Sequence, residues 1–276
     1  MISAFIPSPT VSFISLGPLK IHFYALCILL GIVVALRLTE RRWVARGGAV
    51  GFVSDVAVVA VPVGIIGGRI YHVITTPEKY FGARGHLLDI IKIWEGGLGI
   101  WGAISIGALG AWIAFRRKSS GGLTFADFAD AIAPGLLLAQ GIGRWGNWFN
   151  VELFGKPSTM PWALEVPVAL RPAGFSQYLT FQPTFLYESL WCVGVAFLLL
   201  WLDSQHRVRT PGKVFALYVA LYCLGRLWIE ALRIDEAHHI AGLRLNVWVS
   251  ALVGAGAVAI LLRRLPPTES GISTNI

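Results

Sequence analysis

The chain has 276 residues, of which 55% are hydrophobic and only 14% charged, with a formal net charge of +8. Soluble domains carry about 25% charged residues, so this much apolar surface cannot be hidden in one soluble core of this size, and a soluble protein is excluded. The positive charge does not point to nucleic acid, because the cations sit mostly in short loops between apolar runs, where they serve contact with anionic lipid and orientation in a membrane.

Apolar runs of about 17–25 residues are long enough to cross a bilayer. In chain order the sequence predicts seven, over about 20–37, 53–74, 97–115, 125–143, 184–202, 213–232 and 246–262. The expected fold class is therefore an all-α polytopic membrane protein of about seven transmembrane helices. The first run lacks a basic leader and a small-residue cleavage site, and reads as a retained span. Pro62, Gly67, Gly68 and Pro134 interrupt the runs, which membrane helices tolerate where neighbours re-satisfy the backbone. Eleven Trp suit the membrane–water interface. Cys27, Cys192 and Cys223 each lie inside an apolar run, with neither metal nor disulfide spacing.

The loops orient the chain. One alternate set carries twelve cations in dense clusters (Arg37, Arg41, Arg42, Arg46; Arg116, Arg117, Lys118; Arg207, Arg209, Lys213; Arg263, Arg264), against nine in the other. The positive-inside rule assigns the first set to the cytoplasm, so the N-terminus is outside and the C-terminus cytoplasmic. The membrane domain covers residues 1–262. It includes a small outer-facing head over about 144–183, rich in Pro, Gly and Trp, with a strand-like stretch at Ala163–Leu170. Residues 263–276 form a polar cytoplasmic tail expected to be disordered.

Ionisable residues inside spans are costly and usually face a cavity or a partner. Arg226, Glu230 and Arg233 recur at i, i+4, i+7 and share one helix face below Tyr222. That spacing fits an ion-pair ladder, but two arginines against one carboxylate favour an anionic ligand. Arg69 follows Gly67-Gly68 within the second span, where it either snorkels or lines a wet gap. Trp94 to Gly102 is a glycine-rich span entrance that reads equally as a re-entrant turn with room for a ligand or as a helix contact. Gln182 to Glu188 opens the fifth span, and Glu188, just inside it, needs a partner.

The most informative run is Gly141 to Gly155, where an apolar span ends and Arg144, Asn147, Asn150 and Glu152 follow among aromatics. Arginine holds a phosphate through two donors and asparagine donates to its oxygens. Arginines, amides and carboxylates thus converge on a phosphate in the outer half of the bilayer, where the nearest phosphate is a phospholipid headgroup.

These residues resemble the prolipoprotein diacylglyceryl transferase family over about residues 20–262. The match is strongest at Gly143-Arg-Trp-Gly-Asn-Trp-Phe-Asn-Val-Glu-Leu-Phe-Gly155. His22-Phe-Tyr24, Gly68-Arg69, Gln182-Pro183 with Leu186-Tyr187-Glu188, and Tyr222 through Arg233 match as well. The resemblance implies transfer of the diacylglyceryl group of phosphatidylglycerol to the lipobox cysteine thiol of secreted preproteins. A thioether forms and glycerol phosphate leaves, at a bacterial cell membrane and without metal or organic cofactor. It makes Arg144 and Arg226 the catalytic arginines. Tyr24, Arg69, Asn147, Asn150, Glu152, Gly155, Tyr187, Glu188, Tyr222, Glu230 and Arg233 complete the substrate-binding set.

One departure stands out: the family usually places a histidine before the glycine that is Gly102 here, and this chain has Trp101. A mechanism with that histidine as base cannot operate. A cationic pocket that promotes the thiolate, or Glu152 or Glu230 as acceptor, are the replacements the residues offer. A transporter of anionic lipid would want the same arginines, but no internal repeat is visible. A serine hydrolase would want a Gly-x-Ser-x-Gly elbow, which is missing.

Overall fold

A computed structural model describes residues 5–17, 19–82, 85–118, 120–205, 207–208, 210–237 and 239–263. Arg84, Arg209, His238, Arg264 and the tail beyond Arg263 lie outside the described residues. Among the described residues seven long helices follow one another: α1 (Phe23–Ala45), α2 (Phe52–Thr75), α3 (Ile100–Arg117), α4 (Phe125–Asn150), α5 (Thr184–Ser204), α6 (Lys213–Leu232) and α7 (Leu245–Leu262). All but α3 are long and apolar enough to cross a membrane; the 18 residues of α3 take in Arg116 and Arg117, which lower its average. Their outward faces are bare hydrocarbon, as at Val58, Ile74, Leu252 and Leu262, each more than 70% exposed. Only lipid covers a surface of that kind without cost. The protein is a multi-pass membrane protein.

Two helices outrun their apolar cores. α1 continues to Ala45 and carries Arg37, Arg41 and Arg42 on the helix rather than in a loop. Arg42 is buried, with Nε donating to Ala131 O (2.9 Å), Nη2 to Asp130 O (2.9 Å) and Nη1 to Asp203 (3.0 Å). α4 starts at a Thr124–Asp127 capping box and continues through Pro134 to Asn150, seven residues past the predicted end of the span. The head therefore begins at Val151, and Arg144 and Asn147 are helical residues. Hydropathy ends a span where charge begins, but a helix persists where its polar side chains find partners inside the bundle.

Packing follows small residues. α2 and α3 pair at such close range that a Cβ on Gly102 would sit 2.2 Å from Gly67 O. α1 lies on α4, with Gly31 against Ala139 and Gly135 against Ala35. α4, α5 and α6 share a core of Leu137, Cys192, Val195, Ala196, Leu199 and Val214. Trp43, Phe52, Phe115 and Phe128 tie α1–α4 together at the end where α1, α3 and α5 finish.

Among the described residues, the opposite end carries three small hairpins. β1 (Phe13–Leu16) pairs with β2 (Leu19–His22) before α1, β3 (Leu164–Glu165) with β4 (Thr180–Phe181) in the head, and β5 (His239–Ile240) with β6 (Leu243–Arg244) before α7. The predicted strand Ala163–Leu170 shrinks to β3, because Pro167 has no N–H to continue a ladder and Val168–Leu170 coil into a 3₁₀ turn. Val151, Phe154, Leu164, Val166, Phe181 and Phe185 form the core beneath the head.

Candidate active site

The last turns of α4 and α6 and the first turn of α5 meet below the head. Arg144 and Arg226 are brought together by one carboxylate. Glu188 Oε1 lies 2.9 Å from Arg144 Nη2, and its Oε2 lies 3.0 Å from Arg226 Nη1. Tyr222, one turn before Arg226, directs its hydroxyl at Glu188 Oε1 (3.4 Å). Glu188 is 3% exposed and Glu230 1%. Carboxylates so deeply placed stay ionised only when paired, and the i, i+4 spacing delivers Glu230 to the second arm of Arg226. Arg233 (3.6 Å), Arg244 (2.8 Å) and Asn246 (3.2 Å) complete the shell around Glu230.

A second string of bonds runs out from Arg144. Its Nη1 donates to Asn147 Oδ1 (3.3 Å), and Asn147 Nδ2 donates to Glu152 Oε1 (2.8 Å), as does Asn150 Nδ2 (3.2 Å). Glu152 reaches back because the chain reverses sharply after α4. Val151 and Leu153 both adopt left-handed backbone, at φ 51° and 59°, which costs on the order of 1–3 kcal/mol per non-glycine residue. Burial of the Val151 side chain and the bond from Thr184 Oγ1 to Leu153 O hold the reversal in place.

Arg144, Asn147, Leu153, Thr184, Phe185, Glu188 and Arg233 line a narrow cleft at this junction. Four arginines (144, 226, 233 and 244) face three carboxylates (Glu188, Glu230 and Asp235) across these ion pairs, leaving one positive charge over. Two guanidiniums that each direct one nitrogen at the same buried carboxylate make a receptor for a carboxylate or a phosphate.

Of the residues expected here, Arg144, Asn147, Asn150, Glu152, Glu188, Tyr222, Arg226, Glu230 and Arg233 join this network. Tyr24 lies beside it, its ring packed on Gly146 of α4. Tyr187 faces elsewhere, its hydroxyl accepting from Trp162 Nε1 (3.0 Å). Gly155 sits where chains crowd: a Cβ there would lie 3.0 Å from both Gln182 Cβ and Leu232 O. Its N–H donates to Gln182 O, and Lys156 N–H to Leu232 O, so this glycine docks the start of the head on the end of α6.

Arg69 is committed to the backbone rather than to the cleft. Its guanidinium donates to the carbonyls of Asp89, Ile90 (2.7 Å), Gly96 (2.7 Å) and Gly97 (2.8 Å). The glycine-rich entrance holds no room for a ligand at this point, since a Cβ on Gly97 would meet Arg69 and His72. Trp101 is half-buried in the first turn of α3.

Sequence reasoning missed Asp235, Arg244 and Asn246. Arg244 bonds Glu230 and both Asp235 Oδ2 (2.9 Å) and Asp235 O (2.8 Å), while Arg233 holds Asp235 through two further contacts. Burial pushes the Asp235 carboxyl up, but the Arg233 and Arg244 guanidiniums outweigh it and hold the group below the usual carboxylate range. An arginine next to the start of the last span was the one available signal.

Comparison with known proteins agrees with this picture. The family model described as prolipoprotein diacylglyceryl transferase matches residues 11–263. Phosphatidylglycerol–prolipoprotein diacylglyceryl transferase 2 of Streptomyces coelicolor is 55% identical, across 94% of this chain and 80% of its own length. The similarly named protein of Streptomyces griseus is 56% identical, across 94% of this chain and 77% of its own. That of Frankia alni is 55% identical, across 99% of this chain and 71% of its own.

Proposed function

This chain belongs to the prolipoprotein diacylglyceryl transferase family, and on that premise we propose that it transfers the diacylglyceryl group of phosphatidylglycerol to the lipobox cysteine of secreted preproteins. The observation that carries the reading is the Arg144–Glu188–Arg226 bridge at the head end of the bundle. Arg144 and Arg226 grip the phosphodiester and stabilise the charge that develops on the leaving phosphate. The preprotein thiolate attacks the glycerol carbon that carries the phosphate ester. A thioether forms, and glycerol phosphate departs. Asn147, held buried by Glu152, offers a neutral donor beside Arg144. Arg233 and Glu230 keep the arginine cluster in register, and Tyr24 lines the approach. No step calls for a metal or an organic cofactor.

The same reading orients the protein. The N-terminus and the head face outward, where secreted preproteins emerge, and the C-terminus is cytoplasmic. The Arg37–Arg46, Arg116–Lys118, Arg207–Lys213 and Arg263 clusters supply the positive-inside signal. The membrane domain ends at Leu262, and the polar tail follows in the cytoplasm.

Incubating the purified protein in detergent with phosphatidylglycerol, with and without a lipobox peptide, tests the reaction. A peptide heavier by one diacylglyceryl group is the expected product. Lipid consumed equally without peptide would identify a hydrolase instead. A lipid left intact in detergent but moved across sealed vesicles would identify a transporter.

A further inference from the structure

Glu188 occupies the place that an anionic ligand needs. Its two oxygens bridge Arg144 at 2.9 Å and Arg226 at 3.0 Å, one oxygen to each guanidinium. A phosphodiester presents the same pair of oxygens to the same forks, so both anions cannot bridge them at once. The other carboxylates are placed differently. Glu230 is enclosed by Arg226, Arg233, Arg244 and Asn246, and remains paired if one partner turns away. Glu152 is exposed and, among the described residues, accepts from the amides of Asn147 and Asn150. Glu188 alone among them is both buried and dependent on the two arginines assigned to the phosphate.

We propose that Glu188 is a displaceable internal counter-ion, which the substrate phosphate drives off Arg144 and Arg226 and which then accepts the proton of the attacking thiol. This rests on the transferase reading above. Once displaced, the carboxylate keeps the Tyr222 hydroxyl from α6 as its polar neighbour. Cys192 stands one turn away on its own helix, and Arg233 lines the same cleft. A buried carboxylate that has lost both guanidiniums paired with it is a stronger proton acceptor than the paired one. The base is therefore made by substrate binding, in a chain that has Trp101 in place of a histidine. The thiol S–H proton passes to Glu188 while sulfur forms the bond to the glycerol carbon. The C–O bond breaks with its electron pair leaving on the phosphate oxygen. Glu188 returns the proton to the departing phosphate monoester and closes again on both arginines.

The test measures kcat and KM for phosphatidylglycerol against pH, with a lipobox peptide, for wild type, Glu188→Gln, Glu188→Asp and Glu152→Gln in detergent. Glu188→Gln removes a competitor and a base together. KM is expected to stay level or fall, kcat to drop about 10²–10⁴-fold as for loss of a general base, and the acid limb of the kcat profile to vanish. Glu188→Asp should bring back an acid limb, but one displaced in pH and at a reduced kcat, because the shorter carboxylate sits further from the thiol and from Tyr222. An anchoring role alone predicts the opposite, a raised KM with kcat and the acid limb unchanged, and that result overturns the proposal. Loss of the limb in Glu152→Gln with its retention in Glu188→Gln moves the base to Glu152 and also overturns it. If Glu188→Gln does not insert, Glu188→Asp decides, since a wild-type limb in position and depth refutes the role. Failure of the wild type to transfer lipid at all would refute the transferase reading instead.

Discussion

Arg69 and Arg226 both lie on helices that cross the membrane, and both are fully engaged, yet they are engaged by different chemistry. Arg69 spends its guanidinium on backbone carbonyls of the segment between α2 and α3, with the Tyr80 ring 5.3 Å away. Those acceptors are part of the fold and cannot leave without unfolding it. Arg226 is bound by the carboxylates of Glu188 and Glu230, and the first of these is an anion of the kind that a ligand anion can replace. Arg42, at the other end of the bundle, follows the Arg69 pattern, with two carbonyls and Asp203. A buried arginine saturated by carbonyls is a structural tie, while one balanced on carboxylates is available to a ligand.

The sharpest way to break this contrast is to remove each arginine in turn. Arg144→Ala and Arg226→Ala should each lower lipid transfer by about 10²–10³-fold, the usual cost of deleting a charge-stabilising donor. The fold should persist, because Glu188 keeps one arginine and Glu230 keeps Arg233 and Arg244. Transfer of labelled lipid to a lipobox peptide, alongside melting in detergent, measures both. Arg226→Lys should rescue poorly, since a point charge cannot form the two-pronged contact. A near-normal rate in either alanine variant would remove the cluster from the chemistry.

Arg69→Met should do the reverse. Several carbonyls lose their donor together, at about 1–3 kcal/mol for each that stays buried. Hydrogen exchange or limited proteolysis should therefore show residues 87–97 opening, with a far smaller loss of turnover per intact molecule than in Arg226→Ala. A turnover collapse with an intact segment would return Arg69 to the site.

Next in size is the α2/α3 seam, which needs glycine for close approach rather than for chemistry. Gly102→Ala places a methyl against Gly67 O and forces the helices apart, for about 1–3 kcal/mol of stability by analogy with overpacked cores. Thermal melting in detergent reads it directly.

The smallest effect is electrostatic. The Asp235 carboxyl is held down by Arg233 and Arg244 against the opposing effect of burial. Its contribution to stability is present above the unfolded carboxyl value, about 3.9, and is lost as pH falls through the lower folded value. Asp235→Asn should melt earlier than wild type at neutral pH, and the gap should close on acidification below about pH 4. A gap that is independent of pH would assign the loss to hydrogen bonding alone.

Much of the site is legible before any fold is known, because local spacing is enough. Arg226, Glu230 and Arg233 share a face by helical periodicity, and Arg144 to Gly155 gathers cation, amides and carboxylate within a dozen residues. Two kinds of information are not local. The end of a helix depends on partners, so hydropathy stopped α4 at 143 whereas Asn147–Glu152 bonding and the buried Val151 carry it to Asn150. The assignment of a buried charge depends on what surrounds it, so in sequence Arg69 either snorkels or lines a wet gap, whereas in the fold its guanidinium bonds the carbonyls of the α2–α3 segment.

Composition and periodicity by themselves determined that the chain lives in a membrane, that its seven apolar runs are helices, and that arginines converge with amides and carboxylates. These follow from the solvent and from the 3.6-residue repeat, which act on every window of the chain alike. Only the tertiary structure decided which carboxylate stands between Arg144 and Arg226. It also brought Arg244, Asp235 and Asn246 to Glu230. Pairing across 38 residues for Arg226 and Glu188, or 14 for Arg244 and Glu230, is set by how helices pack, and no repeat in the sequence records it.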